Sequence, residues 1–282
     1  MTTSVPTLTL RAGDGTVDIP QLGFGTWEIP DEDVTDAVLR ALKTGYRSID
    51  TAAIYGNEEG VGRALRQTEI PREDIFLTTK VWNDRQGFDS TLEAMDESLA
   101  KLGTDYVDLY LIHWPTPAKD AYVDTWKALL ELRKRGKAKA VGVCNFHAQH
   151  LQRLADETGE LPAVNQIEVH PYLAQNELRT FNAEHDIVTE DWSPLGARLN
   201  IIEDPVVGSI ANATGKTPAQ VILRWHLQIG SVVIPRSTKP TRIESNFGLF
   251  DFELTDAQLD SIRGLDENKR SGPDPDEFNV GA

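Results

Sequence analysis

The chain of 282 residues carries 40% apolar and 26% charged side chains and a formal net charge of −16, a composition that suits one large α/β barrel or two ordinary globular domains and excludes disorder outside the ends. So acidic a chain repels nucleic acid and anionic membrane, and an anionic ligand therefore demands a local basic pocket. One cysteine, Cys144, rules out an intramolecular disulfide or a multi-thiolate zinc site, and the lack of a basic-apolar leader or a spanning apolar run sets the expectation of a cytoplasmic protein with no membrane partner.

Residues 7–10 and 16–19 alternate around Gly13-Asp14-Gly15, a hairpin signature, so segment 1–20 is expected to act as a cap on the remainder of the chain. From there short apolar runs at 22–25, 47–49, 75–79, 107–112, 138–143, 163–169, 187–192 and 231–234 read as strands. Segments of helical period follow them at 31–43, 58–67, 90–102, 122–135, 148–158, 176–184, 217–228 and 239–247. Eight strand–helix units in about 230 residues have the count and size of a (β/α)8 TIM barrel, with a doubly wound sheet as the alternative that alternation alone leaves open. Two segments break the rhythm. Residues 194–205 are long for such a connection, and 200–213 are expected to hold an extra short helix. After a helix at 256–263, residues 264–282 are rich in Asp, Gly and Pro without periodicity, and both segments are expected to fold over a barrel mouth. The chain, 1–282, is read as a single domain.

Barrel enzymes carry their chemistry at the C-terminal ends of the strands. Asp50 follows the second strand, Lys80 the third, His113 the fourth and Asn145 the fifth; Gln166 lies within the sixth, Trp192 ends the seventh, and Arg236-Ser237 follow the eighth. Each alone has a structural explanation, but together they make chemical sense. Tyr55, in the small-residue loop after Asp50, is a phenol that titrates near 10 and is a poor acid at neutral pH. Lys80 is expected to lower its pKa, Asp50 to hold Lys80 charged and oriented, and His113 to bond a substrate oxygen. Asn145 and Gln166 suit a carboxamide and Trp192 the face of a heteroaromatic ring, which points to nicotinamide. Arg236-Ser237-Thr238-Lys239, with Arg242 a turn later and Asn246 at i+4 from it, is the required basic island, placed to grip an adenosine phosphate. Gly60-Val61-Gly62 lies inside a helix and lacks a third glycine, so it is no dinucleotide fingerprint. His147 and His150 are read as exposed helix residues, and no metal is expected.

The stretches LGFGTW, DTAAIYGNEEGVGRAL, TTKVWN, DLYLIHWP, VGVCNF, AVNQIEVHP, WSPLG, TPAQVILRWHL and IPRSTKPTRIESNF, from Gly23 to about Leu254, resemble the aldo-keto reductase superfamily. Within it the chain is most similar to the bacterial 2,5-diketo-D-gluconate reductase group. The resemblance implies a metal-free monomeric barrel that uses NADPH, with NADH less favoured. It would reduce aldehydes or ketones, diketo-sugar acids among them, to alcohols by hydride transfer. The tetrad falls on Asp50, Tyr55, Lys80 and His113, with Tyr55 as general acid. Asn145 and Gln166 match the carboxamide binders, Trp192 the stacking ring, and Ser237, Arg242 and Asn246 the adenosine-phosphate end. Gly25, Thr26, Trp27, Asp50, Cys144, Ser193, Leu195, Arg236 and Thr238 complete the expected cofactor contacts. Trp27, Trp82 and Trp114, with Tyr55 and His113, would wall the substrate pocket. Three departures stand out: Cys144 where Ser is usual, Arg236 for the common Lys, and Ser245 where Glu is common, so that adenine contact is not carried over. Two rival readings are a catalytically idle nucleotide-binding sensor or subunit, and an aldolase using Lys80 as a Schiff base, which Asp50 opposes by keeping the amine protonated.

Overall fold

The computed structural model describes residues 5–281; residues 1–4 and 282, parts of the expected cap and tail, lie outside the described residues. The hairpin forms as β1 (Thr7–Ala12) and β2 (Gly15–Pro20), antiparallel, with Ala12 opposite Gly15. Its Leu10 and Ile19 are fully buried and cluster with Leu109, Leu111, Val164 and Val232. The hairpin thus plugs one end of the sheet with apolar side chains.

Eight parallel strands follow: β3 (Phe24–Gly25), β4 (Ser48–Asp50), β5 (Phe76–Val81), β6 (Val107–Ile112), β7 (Ala138–Cys144), β8 (Val164–Glu168), β9 (Val188–Trp192) and β10 (Val232–Val233), paired in chain order. A parallel bridge between Leu22 and Val233 joins first to last, with the Gly23 amide donating to the Val233 carbonyl at 2.9 Å and the Val233 amide to Gln21 at 2.8 Å. This closure makes the sheet the expected (β/α)8 barrel and removes the doubly wound alternative. The seam is tight: a Cβ on Gly23 would lie 2.9 Å from both Ile234 Cγ2 and Ser48 Oγ. The eighth strand is shorter than its apolar run, because Pro235 has no N–H to extend the ladder.

The outer ring comprises α1 (Asp31–Thr44), α2 (Glu58–Gln67), α3 (Phe88–Leu102), α4 (Tyr122–Lys134), α5 (Ala148–Thr158), α6 (Asn176–Glu184), α7 (Pro205–Thr214), α8 (Pro218–Gln228) and α9 (Pro240–Phe247), with α10 (Asp256–Arg263) after it. Helix α7 is the extra helix expected near 200–213, started by the Asp204 side chain, which accepts from the Val206 amide, and by Pro205 at its first turn. Gly60 and Gly62 serve packing: a Cβ on Gly60 would sit 2.3 Å from Val34 Cγ1, and one on Gly62 2.5 Å from the Lys101 carbonyl, so α2 lies close against α1 and α3. Among the described residues no helix is long and apolar enough to cross a membrane.

Inward-facing residues change character along the barrel. Leu109, Ala140 and Val164, further back along their strands, cluster with Leu10 and Ile19 at the end that the hairpin covers. Lys80, Gln166 and Glu190, all buried, lie toward the strand C-termini. The fold therefore delivers its polar groups to one mouth, over an apolar floor.

Candidate active site

Lys80 is fully buried near the end of β5. Its Nζ donates to Asp50 Oδ1 at 2.6 Å and to the Thr51 carbonyl at 2.9 Å, and lies 3.4 Å from the Tyr55 hydroxyl. Tyr55 is presented by a single 3-10 turn, Ala53–Tyr55, which Gly56 closes in the left-handed conformation at φ 66°. Asn57 fixes that turn: its Nδ2 donates to the carbonyls of Thr26 and Ile29, both at 2.9 Å, and its Oδ1 accepts from Thr51 Oγ1 at 2.8 Å. The loops carrying Trp27 and Tyr55 are thus tied together by one buried amide. Thr26 faces back to the strand, with its amide and Oγ1 both donating to the Asp50 carbonyl at 3.0 Å. His113 sits edge-on to Tyr55 and Trp82, with ring centroids 5.6 and 5.1 Å away. The structure brings the four expected catalytic residues into one group.

Electrostatics correct one expectation. Burial alone would lower the Lys80 pKa, but the Asp50 carboxylate more than reverses this, and the ammonium is held well above its usual range. For Tyr55, burial raises the pKa and the nearby Lys80 recovers only part of the shift, so the phenol ends above its ordinary value instead of below it. Desolvation outweighs the neighbouring charge, and the hydroxyl keeps its proton at neutral pH. His113 is pushed well below its usual range, first by burial and then by Lys80, so it is a neutral imidazole; its Nδ1 has no hydrogen-bond partner. Glu190, which the strand-end pattern does not single out, is fully buried, and burial followed by the Asp50 charge raises its carboxyl to about 8. A signal existed: Glu190 stands two residues before Trp192 on β9 and therefore shares its face.

The amide pair is oriented by its neighbours. Gln166 Nε2 donates to Asp50 Oδ2 at 2.9 Å and Glu190 Oε2 at 2.8 Å, while the Cys144 thiol lies 3.7 Å from Gln166 Oε1. Burial pushes the Cys144 thiol well up, so it stays a neutral S–H donor. Asn145 Nδ2 donates to the His113 carbonyl at 3.0 Å, and its Oδ1 accepts from Trp192 Nε1 at 2.9 Å. Asn145 and Ser193, each directly after a strand, sit at φ 63° and 49°, the kind of backbone strain that gathers at functional sites. The flat Trp192 ring is half-buried. An aromatic face flanked by oriented amides fits a nicotinamide carboxamide, and Asn145, Gln166 and Trp192 are the residues that would hold it.

The basic island is split. Gly25 closes the seam, its amide donating to the Pro235 carbonyl at 3.1 Å. Arg236 donates to Glu28 Oε2 at 2.6 Å and is therefore an ion-pair member, where a free cation was expected. Ser237 Oγ accepts from the Lys239 amide at 3.1 Å at the start of α9. Thr238, Lys239 and Arg242 are exposed, and among the described residues Arg242 and Lys239 enter no ion pair. Asn246 is buried on α9, and Leu195 packs partly buried against the core. An anionic group therefore has two free cations at this helix start.

The aldo/keto reductase family model matches residues 21–267. The chain belongs to the aldo/keto reductase family. An aldo-keto reductase of Mycolicibacterium smegmatis is 54% identical over 274 residues, 97% of this chain and 98% of that one. Methylglyoxal reductase DkgA of Escherichia coli is 52% identical over 270 residues, 95% and 97% of the two chains. Among solved structures, a mutant of Gox0644 in complex with NADPH has a TM-score of 0.91 at 47% identity, covering 97% of this chain and 99% of the other. An aldo-keto reductase of Bombyx mori in complex with NADP gives 0.89 at 35% identity, covering 97% of each.

In this aldo/keto reductase the tail does fold over the mouth. Glu168 anchors it: Oε1 accepts from the Ser271 amide at 2.6 Å and from the Ser271 hydroxyl, and Oε2 from the Gly272 amide at 3.1 Å. Burial alone would raise the Glu168 pKa, but bonds from His170 and Ser271 win and lower it. A Cβ on Gly272 would fall 2.6 Å from Trp192 Cη2, so only glycine lets the tail cross that ring. Beyond it Phe278 packs on Trp114 with centroids 4.3 Å apart and lies 6.4 Å from Trp82, while Asn83 Nδ2 holds the Val280 carbonyl at 2.8 Å. Phe278 thus packs with Trp82 and Trp114, and Trp27 is exposed. Replacing Glu168 with Ala should leave four donors, three in the tail and His170 Nε2, without an acceptor and raise the rate of limited proteolysis within 264–281 roughly tenfold, and an unchanged cleavage pattern would refute the anchor.

His147 and His150 are not the exposed residues expected. His150 is buried, and both meet Asp276 of the tail. His150 Nδ1 accepts from the His147 amide at 3.1 Å, so its hydrogen is on Nε2, directed at Asp276 Oδ1 at 3.3 Å. His147 Nε2 faces the Arg270 guanidinium at 3.4 Å, which places its hydrogen on Nδ1, toward the same Oδ1 at 3.1 Å. The cluster is a clasp for the tail, and a cation there would have to replace both hydrogens.

Proposed function

We propose that the barrel reduces the carbonyl of a small aldehyde or ketone to an alcohol, with Tyr55 as the acid that protonates the oxygen. The chain is an NADP-dependent oxidoreductase whose cofactor, NADPH, supplies the hydride when bound. The observation that carries the reading is the buried chain of contacts Asp50 to Lys80 at 2.6 Å and Lys80 to Tyr55 at 3.4 Å beside a neutral His113. Lys80 is the charge that stabilises the phenolate Tyr55 becomes, and Asp50 keeps that charge in place. His113, neutral, donates to the same oxygen without competing for the proton. Trp27, Trp82, Trp114 and Phe278 give the pocket an apolar wall that excludes water.

The name methylglyoxal reductase borne by relatives makes methylglyoxal one substrate to try, and a diketo-sugar acid is the other. A panel of carbonyl compounds, followed by loss of reduced-nicotinamide absorbance, tests the reading; tight NADPH binding with no turnover would favour the idle sensor. Schiff-base chemistry is disfavoured, because Lys80 Nζ is buried, protonated and bonded to Asp50 and Thr51. Arg242 and Lys239, the free cations at the start of α9, are the candidates for the adenosine phosphate. Converting Arg242 to Ala should weaken NADPH about tenfold to a hundredfold, the worth of a charge-assisted bond, and NADH less than about threefold. Equal losses for the two cofactors would refute the phosphate contact.

A further inference from the structure

Gln166 is the site's amide with both hydrogens engaged by carboxyl groups. The Asp50 carboxylate can only accept, so the nitrogen and not the oxygen of Gln166 faces its Oδ2 at 2.9 Å. The second hydrogen goes to Glu190 Oε2 at 2.8 Å. Gln166 Oε1 is then the one face left, met only by the weak thiol donor of Cys144 at 3.7 Å. The two carboxyls differ in what else they do. Asp50 Oδ1 is held by Lys80, whereas Glu190, fully buried, is bonded among the described residues to Gln166 alone: its Oε1 makes no hydrogen bond, and it forms no hydrogen bond or ion pair with the tetrad. A buried carboxyl so poorly satisfied costs stability, so its position next to the carboxamide binder calls for a function.

We propose that Glu190 is a positioning residue that, with Asp50, locks the Gln166 amide so that its carbonyl oxygen accepts from the amino group of the nicotinamide carboxamide. The inference rests on NADPH as the cofactor. With one anchor the amide pivots about the bond to Asp50; with two it is fixed in plane, and the site discriminates a carboxamide from a methyl ketone at the same ring position. The acceptor role needs no charge. Burial, followed by the Asp50 charge, pushes the Glu190 carboxyl toward its neutral form, whose hydrogen belongs on the unpartnered Oε1 and leaves Oε2 to accept. Glutamine at this position keeps an acceptor oxygen, and leucine does not.

The test measures binding of NADP and of its acetylpyridine analogue, in which a methyl group replaces the carboxamide amino group, by quenching of tryptophan fluorescence. The phosphorylated ADP-ribose fragment, which lacks the nicotinamide, serves as a control for folding and for the phosphate end. The wild-type chain should prefer NADP by about tenfold, the worth of one bond with its partner otherwise unpaired. Glu190→Leu should bring the ratio within about threefold with fragment affinity unchanged, and Glu190→Gln should restore it. An undiminished preference in Glu190→Leu, or an equal loss in Glu190→Gln, overturns the positioning role alone. Wild-type chain that binds the fragment no less tightly than NADP overturns the nicotinamide site itself, and the inference with it.

Discussion

Phenylalanine in place of Tyr55 is expected to lower turnover by about 10²–10⁴-fold, the usual range for a positioned general acid, while changing NADPH affinity by less than about threefold. The substitution removes one oxygen. Lys80 loses its longest contact, at 3.4 Å, and keeps Asp50 and Thr51 at 2.6 and 2.9 Å, so neither the charge nor the barrel is disturbed. The loss should appear in single-turnover rates and not in fluorescence titrations with cofactor. A variant that turns over at the wild-type rate would remove Tyr55 from the chemistry.

Lys80→Met should be more damaging, because it acts on stability as well as on rate. It leaves the Asp50 carboxylate in the barrel interior without its cation, and breaking one side of a buried pair costs about 3–5 kcal/mol. Gln166 still donates to Asp50 and limits the damage to the lower part of that range. Turnover should fall at least as far as in Tyr55→Phe, because nothing then offsets the charge on the phenolate. The sign of the linkage is set by the raised Lys80 pKa: its stabilisation is fully present below the unfolded value near 10.5 and is lost as pH rises through the folded one. Denaturant midpoints at neutral pH measure the deficit. A variant as stable as wild type would mean that Asp50 and Lys80 contribute no net stability as a pair.

Much of this site is legible in the sequence because barrel strands are short apolar runs and the first polar residue beyond each run faces the mouth. Asp50, Lys80, His113, Asn145 and Trp192 are readable that way, and the structure gathers them. Glu190 is not, because it stands among three polar residues inside its run, where the first-polar-residue rule does not look and only its spacing of two from Trp192 marks the inward face. The structure separates them: Glu190 meets Gln166 inside, whereas Asp191 turns outward to His226 Nδ1 at 2.6 Å. Contacts made by the tail are equally hidden. Phe278, Ser271 and Asp276 lie in a segment without periodicity, so the burial of His150 and the role of Glu168 depend on a chain return that local pattern does not encode. The upward shift of Tyr55 depends on desolvation, which residue spacing does not report. The Arg236–Glu28 pair is invisible to local pattern because it spans the seam between the first and eighth strand ends, neighbours in the closed barrel that lie 208 residues apart in the chain.

The pocket is expected to bring a carbonyl carbon and a reduced nicotinamide together and to move a hydride between them. The most direct measurement uses NADPH carrying deuterium on one face of its dihydronicotinamide ring, methylglyoxal as substrate, and mass analysis of the alcohol formed. With the label on the transferred face the product should gain one deuterium on the former carbonyl carbon, and with the label on the other face it should gain none. A product free of deuterium from either labelled cofactor would contradict direct hydride transfer.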